Sequence, residues 1–284
     1  MTKQIALLVD SAMDMPQEII DLGGIYTIPL CINYSDATYL DKVDITPEEI
    51  YQRLDKEIPT TSLPPLDLID QTIRQIKQDG YQEILAINIS SGLSGTFNAI
   101  RLALLDHPDI ISKTIDTKSI GIGAGIQAVY AKELIDKHYS LDSIYEICEA
   151  LTHKEHIFFS IPTLEYLKKG GRIGLVTSIV GTALNLNPVI SCNDEGVYHT
   201  VAKTRGRKKS LKKMIDLVKK QVEHSTDYRF AVAYGTDQED AQYVFDTLKN
   251  ELPNYSDVYF DTISPVLGAH TGPEVIGVTI LDLN

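Results

Sequence analysis

The sequence predicts an α/β protein of two domains, residues 1–155 and 156–284, with a mostly parallel sheet and flanking helices in the first and a further α/β unit in the second. Three observations carry this expectation. Short runs of branched apolar residues alternate with helically spaced segments from Ile5 to Thr152, and polar loops follow the ends of those runs. Near Ile157 the spacing changes and a hairpin pattern enters. A chain of 284 residues is long enough to bury two cores.

Ile5 to Val9 is a strand ending in Asp10-Ser11, with Asp14, Met15 and Pro16 leading into a helix that runs to Leu22. Asp10 and Ser11 either line a ligand cleft at the strand end, or Ser11 or Asp14 simply caps the helix; the residues support both. Ile25 to Tyr34 is strand-like. Thr46-Pro47-Glu48-Glu49 opens a helix with an N-cap, a proline at the first helical position and acids in the first turn. Pro59-Thr60-Thr61-Ser62-Leu63-Pro64-Pro65 reads as a stiff loop whose Thr61 and Ser62 stay free to hydrogen-bond. A helix from Asp67 to Gln78 precedes the strand Glu83 to Ile89, which runs into Ser90-Ser91-Gly92-Leu93-Ser94-Gly95-Thr96 and then a helix to Asp106. The free N–H groups of that helix and four nearby hydroxyls suit an anionic oxygen, although a capped helix without a ligand has the same pattern. Ile110 to Ile115 is the next strand, and Gly121-Ile122-Gly123-Ala124-Gly125 opens a helix to Lys137. A dinucleotide fingerprint needs glycine where Ile126 stands, so these small residues are read as allowing close packing. Leu141 to Thr152 is a further helix.

In the second half Ile157 to Ile161 is a strand, and Thr163 to Lys169 a short helix ended by Gly170 in the basic turn Lys168-Lys169-Gly170-Gly171-Arg172. Val189 to Cys192 and Gly196 to Ala202 form a hairpin about Asn193-Asp194-Glu195-Gly196. Lys203, Arg205, Arg207, Lys208, Lys209, Lys212 and Lys213 crowd the start of a helix with the buried stripe Leu211, Ile215, Val218 and Val222. Cations there oppose the helix dipole, so either a partner contact or a solvated face accounts for them. Phe230 to Tyr234 is a strand, Asp237 to Leu252 a helix and Asp257 to Ile263 a strand. Val266 to Glu274 is expected as a loop, and Val275 to Leu281 as the last strand.

The net charge of −13 argues against general nucleic-acid affinity. Cys31, Cys148 and Cys192 are too few and too scattered for a disulfide framework or a CxxC site, so a reduced, cytoplasmic protein is expected. The Met1 to Asp10 segment is too short for a signal peptide or a membrane span. Gly92-Leu93-Ser94-Gly95-Thr96 has threonine where a hydrolase nucleophile turn needs its second glycine, and neither HExxH nor a phosphate loop is present. His153 and His156 lack carboxylates at metal-site spacing. His270, in a Gly/Pro stretch, either points at a ligand or bonds backbone. Neutral oxygens without an identifiable base or metal suit holding a carboxylate or phosphate better than breaking a bond.

Asp10-Ser11 with Asp14, Thr61-Ser62-Leu63-Pro64, Ser90 to Thr96, Leu164 to Ile173, Asn187-Pro188-Val189-Ile190, Lys203-Thr204-Arg205-Gly206 and His270-Thr271-Gly272-Pro273 together resemble the DegV family, in order and over essentially the whole chain. Glu274 departs from it, standing where the family usually has another glycine. The resemblance implies a two-domain fold with a lipid slot between or beneath the domains, a bound long-chain fatty acid such as palmitate, and no cofactor. It implies a non-enzymatic carrier subunit that presents the acyl carboxylate to a separate ATP-binding fatty acid kinase subunit, with transient membrane contact. On this basis Thr61 and Ser94 are expected to bind the carboxylate, Ser62, Gly95 and His270 to lie beside them, and Arg172 and Arg205 to meet the kinase. Two other functions compete: a serine esterase or lipase using Ser94 and His270, and a lipid-sensing regulator whose basic helix touches nucleic acid.

Overall fold

The computed structural model describes residues 5–179 and 186–284. The first half runs β1 (Ile5–Asp10), α1 (Gln17–Ile20), β2 (Ile25–Ile28), β3 (Cys31–Asn33), β4 (Thr38–Leu40), α2 (Pro47–Arg53), β5 (Thr60–Ser62), α3 (Leu66–Gln78), β6 (Glu83–Asn88), α4 (Thr96–Leu105), β7 (Ile111–Asp116), α5 (Ile122–Asp136) and α6 (Leu141–Leu151). The second continues β8 (Glu155–Ser160), α7 (Glu165–Lys169), β9 (Val189–Cys192), β10 (Tyr198–Ala202), α8 (Arg207–Gln221), β11 (Tyr228–Tyr234), α9 (Gln238–Glu251), β12 (Tyr255–Thr262), α10 (Pro265–Thr271) and β13 (Ile276–Asp282).

Among the described residues these strands make three sheets. The first, in the order β2-β1-β6-β7, is parallel throughout. Alternation along β1 sends Ala6 and Leu8 to one face, where Ile69, Ile73 and Ile76 of α3 and Ile100 and Leu104 of α4 cover them. Leu7 and Val9 turn to the other face, which α5 and α6 cover. The second sheet, β10-β9-β8-β13-β11-β12, is antiparallel except for the β11–β12 pair. Its outer face packs on α8 and α9 through Leu211, Ile215, Val218, Val244 and Leu248. The inner face meets α5, so that helix lies between the two sheets and is buried almost all round. Its glycines permit this: a β-carbon on Gly125 would overlap the carbonyl of Met13. Arg229 of β11 pairs with Glu133 of α5 through both terminal guanidinium nitrogens, tying sheet to helix.

Three expectations are corrected here. Ile25 to Tyr34 is two strands in different sheets, because Pro29 can donate no ladder hydrogen bond and the chain turns there. Thr60–Ser62, read as a loop, pairs with β3 and completes a small antiparallel sheet β4-β3-β5. Val266 to Thr271, also read as a loop because of its glycines, belongs to the buried helix α10, with Pro265 at its first position. That helix packs on α2, α7 and β5, and this contact brings the C-terminal half onto the first.

Candidate functional site

The C-terminal ends of the parallel strands face α10, and the residues singled out from the sequence gather around that helix. Ser90, buried, donates its hydroxyl to the Gly196 carbonyl at 2.8 Å and accepts from Gly92 N at 3.0 Å, so it locks the turn onto the β9–β10 hairpin. Ser94 is half-buried, with its Oγ 2.8 Å from Thr96 Oγ1 at the start of α4. Gly95 is exposed, and a β-carbon there would sit 3.2 Å from Leu63 Cδ2, so the serine turn and the segment after β5 touch.

Thr61 lies on β5, where alternation turns its side chain toward α10, and its Oγ1 is 2.7 Å from His270 Nε2. Ser62, the next residue, is turned away for the same reason and accepts from Asn33 Nδ2 at 3.1 Å. It is not brought to the Thr61–His270 pair. His270 is buried in the last turn of α10, against Gly170, whose missing side chain makes room for the imidazole. Arg172 closes the ring: its Nη1 donates to Gly170 O at 2.8 Å and its Nε to Leu93 O at 3.3 Å. Thr61, His270, Gly170, Arg172, the Leu93–Gly95 turn and Leu63 thus form a continuous circuit of contacts. Beside it an open depression of about 360 Å³ is lined by Ser91, Leu93, Ser94, Gly95, Arg172 and Val197. Arg205 is exposed on the hairpin side, and the circuit does not include it.

Burial, reinforced by the Arg172 charge, lowers the His270 pKa to about 4, so the ring is neutral at physiological pH. Its Nδ1 has no hydrogen-bond partner. The histidine bonds Thr61 and the Ser94 hydroxyl bonds Thr96, so the nucleophile–base pair that an esterase requires is not formed.

The other end of α10 carries a cluster that sequence reasoning passed over except for Asp14. Asp14 accepts from Ser264 N at 2.9 Å and Asp41 from Val266 N at 2.9 Å, so two buried carboxylates satisfy the first free amides of the helix. Burial raises both acids, Asp41 to about 7. Lys42 lies 3.2 Å from Asp14; burial opposes its charge, but Asp14 and Asp41 outweigh this and hold its pKa above the ordinary value. The available signal was Asp41-Lys42, a charged pair between predicted strand and helix. Asp10 serves the framework instead, accepting from Ile89 N at 3.0 Å and Ala12 N at 3.1 Å, and burial raises its pKa to about 6.

Beneath α10 runs a narrow, mainly apolar crevice of about 40 Å³, between Leu267 and Thr271 above and Phe159, Ile157 and Gly277 of the second sheet below, with Val275 and Asp14 also in its wall. A water's share of liquid volume is about 30 Å³, so this seam is nearly closed. Among the described residues no group of three His, Cys, Asp or Glu side chains is placed to hold a metal ion, and no helix is long and apolar enough to cross a membrane.

The model of the family described as "Uncharacterised protein, DegV family" matches residues 4–283. The chain belongs to the DegV family. It is 35% identical over 281 residues to a DegV domain-containing protein of Clostridium acetobutylicum, with 99% of each chain covered. Among solved structures it is similar to a DegV family protein from Thermus thermophilus reported for its fatty acid binding, at 31% identity, a TM-score of 0.92, and 99% and 100% of the two chains. A stearic-acid-binding protein from Eubacterium ventriosum matches at 27% identity and a TM-score of 0.88, over 98% of each chain. The fold similarity extends over nearly the full length of each of these chains.

Proposed function

We propose that this DegV protein binds a long-chain fatty acid, with the carboxylate at the Thr61–His270–Arg172 circuit and the hydrocarbon tail in the seam beneath α10. The observation that carries this reading is the meeting of the Thr61–His270 pair and the half-buried Arg172 guanidinium around Gly170, while Thr271, next to His270 in the same helix, lines the crevice beneath it. With a proton on Nε2, the imidazole donates to Thr61 Oγ1 and leaves the threonine O–H free to donate to a ligand oxygen. Ser94 and the α4 N-terminus offer further donors, and Arg172 supplies the compensating charge. The tail enters by parting the side chains that line the seam. The hydrophobic gain per methylene is about 0.8 kcal/mol, so a long chain has ample driving force for this. Similarity to the Thermus and Eubacterium proteins supports the ligand class.

The carrier reading extends to a partner. A carboxylate becomes an acyl phosphate only when ATP and Mg²⁺ are brought to it, and a separate kinase subunit supplies them. Arg172 at the depression, exposed Arg205, and exposed Lys208, Lys209, Lys212 and Lys213 give an otherwise acidic protein a basic face for an acidic partner. Arg207 is engaged internally, with Asp240 at 2.9 Å and Asp237 at 3.2 Å. Mass spectrometry of denatured, purified protein tests the first part: one fatty acid per chain is expected, and its absence even after incubation with palmitate would refute it. Acyl-phosphate formation on adding the kinase subunit and ATP tests the second.

A further inference from the structure

The seam beneath α10 has a direction. His270 and Thr271 stand where β13 begins and β8 has ended, so a chain held at His270 runs toward the end of β13 and the start of β8. On that path, after Val275 just before the strand, the inward residues of β13 are Gly277 and Thr279, and those of β8 are Phe159, Ile157 and Glu155. Val275, Gly277, Phe159 and Ile157 line the seam, whereas Thr279 and Glu155, one inward position further on each strand, do not. There the wall turns polar. Thr279 donates its hydroxyl to Glu155 Oε1 at 2.5 Å, both residues are buried, and Gly123 of α5 packs so closely on Ser119 and Glu155 that it has no room for a β-carbon. Behind Glu155 lies a second small cavity of about 40 Å³, lined by Lys118, His156, Cys192 and Asp194 among others, and Ile157 borders both spaces.

We propose that Glu155, held by Thr279, is the end stop of the acyl tail and sets the longest chain this protein takes. This rests on the fatty-acid reading above and deepens it to chain length. A partition between an apolar seam and a polar cavity is a place where a terminal methyl gains nothing by advancing, because the next contact is a hydrogen-bonded carboxyl group. From Ile276 to Thr279 the strand rises about 10 Å beneath the tail. Burial raises the Glu155 pKa to about 7, above the ordinary carboxylate range, as the neighbouring hydrocarbon would require. Removing its side chain joins the seam to the space behind, while enlarging Ile157 closes the seam one residue earlier.

The test loads wild-type protein, Glu155→Ala and Ile157→Phe with an equimolar mixture of myristate, palmitate, stearate and arachidate, and reads the retained chains by mass spectrometry. Each further methylene that finds room strengthens binding about fourfold, so two change a preference ratio by about tenfold or more. Glu155→Ala is expected to raise the retained ratio of longer to shorter chains by about that factor, and Ile157→Phe to lower it. An unmoved profile in folded Glu155→Ala overturns the end stop, whatever Ile157→Phe does. If Glu155→Ala does not fold, an unmoved profile in Ile157→Phe alone overturns it. Wild-type protein that retains none of the four acids refutes the fatty-acid reading itself, a result distinct from retention with an unmoved profile.

Discussion

Asp41→Asn isolates the clamp on α10. Burial raises the carboxyl pKa from its ordinary 3.8 to about 7, close to three powers of ten in proton affinity. At about 1.4 kcal/mol for each power of ten, that is about 4 kcal/mol. Below pH 3.8 folded and unfolded chains both hold the proton. Between 3.8 and about 7 only the unfolded chain gives it up, so wild-type stability from this group falls as pH rises and is fully lost above about 7. Asparagine keeps an oxygen to accept from Val266 N and carries no charge at any pH. The stability of Asp41→Asn minus that of wild type is therefore expected to increase by up to about 4 kcal/mol between pH 4 and pH 8. Asp10 and Glu155, also raised, titrate alike in both proteins and cancel in the difference. Urea denaturation at half-unit pH steps, with the m-value held constant, measures it. A difference that stays flat with pH would show that Asp41 is ionised in the folded protein and would refute the account of how the amino end of α10 is held.

The remaining predictions concern the ring. Thr61→Val combined with Ser94→Ala is expected to weaken fatty-acid retention, each lost bond to the carboxylate being worth about 1.5–3 kcal/mol; dissociation of a fluorescent fatty acid reads it, and unchanged retention contradicts the assignment. Gly170→Ala puts a methyl group into the space of the His270 ring, so a loss of stability of about 1–3 kcal/mol and poorer retention are expected together, by thermal melt and mass spectrometry. Arg205→Glu is expected to leave bound lipid in place and reduce kinase-dependent phosphorylation, whereas Arg172→Glu, at the ring itself, reduces both. Lipid loss in Arg205→Glu would place that residue at the ligand instead of the partner.

Local pattern was sufficient wherever a residue's partners lie within its own element. Strand β6 with its serine turn, the Thr46-Pro47 helix start and the α8 stripe were legible because apolar period and capping chemistry are properties of neighbours in the chain. Thr46 does cap α2, accepting from Glu49 N while the Glu49 side chain accepts from Thr46 N. The failures fell where distant residues supply what local propensity lacks. Thr60–Ser62 became a strand because β3 offers it an edge. The stretch 265–271 became a helix despite Gly268 because Asp14 and Asp41, more than two hundred residues away in the chain, satisfy its first amides and its apolar face is buried. Ser62 and Thr61 look alike in the sequence, and only strand geometry separates the direction of one from that of the other.

The α/β class, the succession of elements and the stock of hydroxyls, histidine and arginines from which a carboxylate site can be built are legible in the order of residues, since capping hydrogen bonds and hydrophobic periodicity act over a few residues. Tertiary structure alone decided that Thr61, His270, Gly170 and Arg172 share one ring, that Ser62 does not join it, and that α10 roofs an apolar seam. Those facts depend on sheet register and on contacts between segments up to 250 residues apart, as for Asp14 and Ser264, and no local preference encodes such contacts.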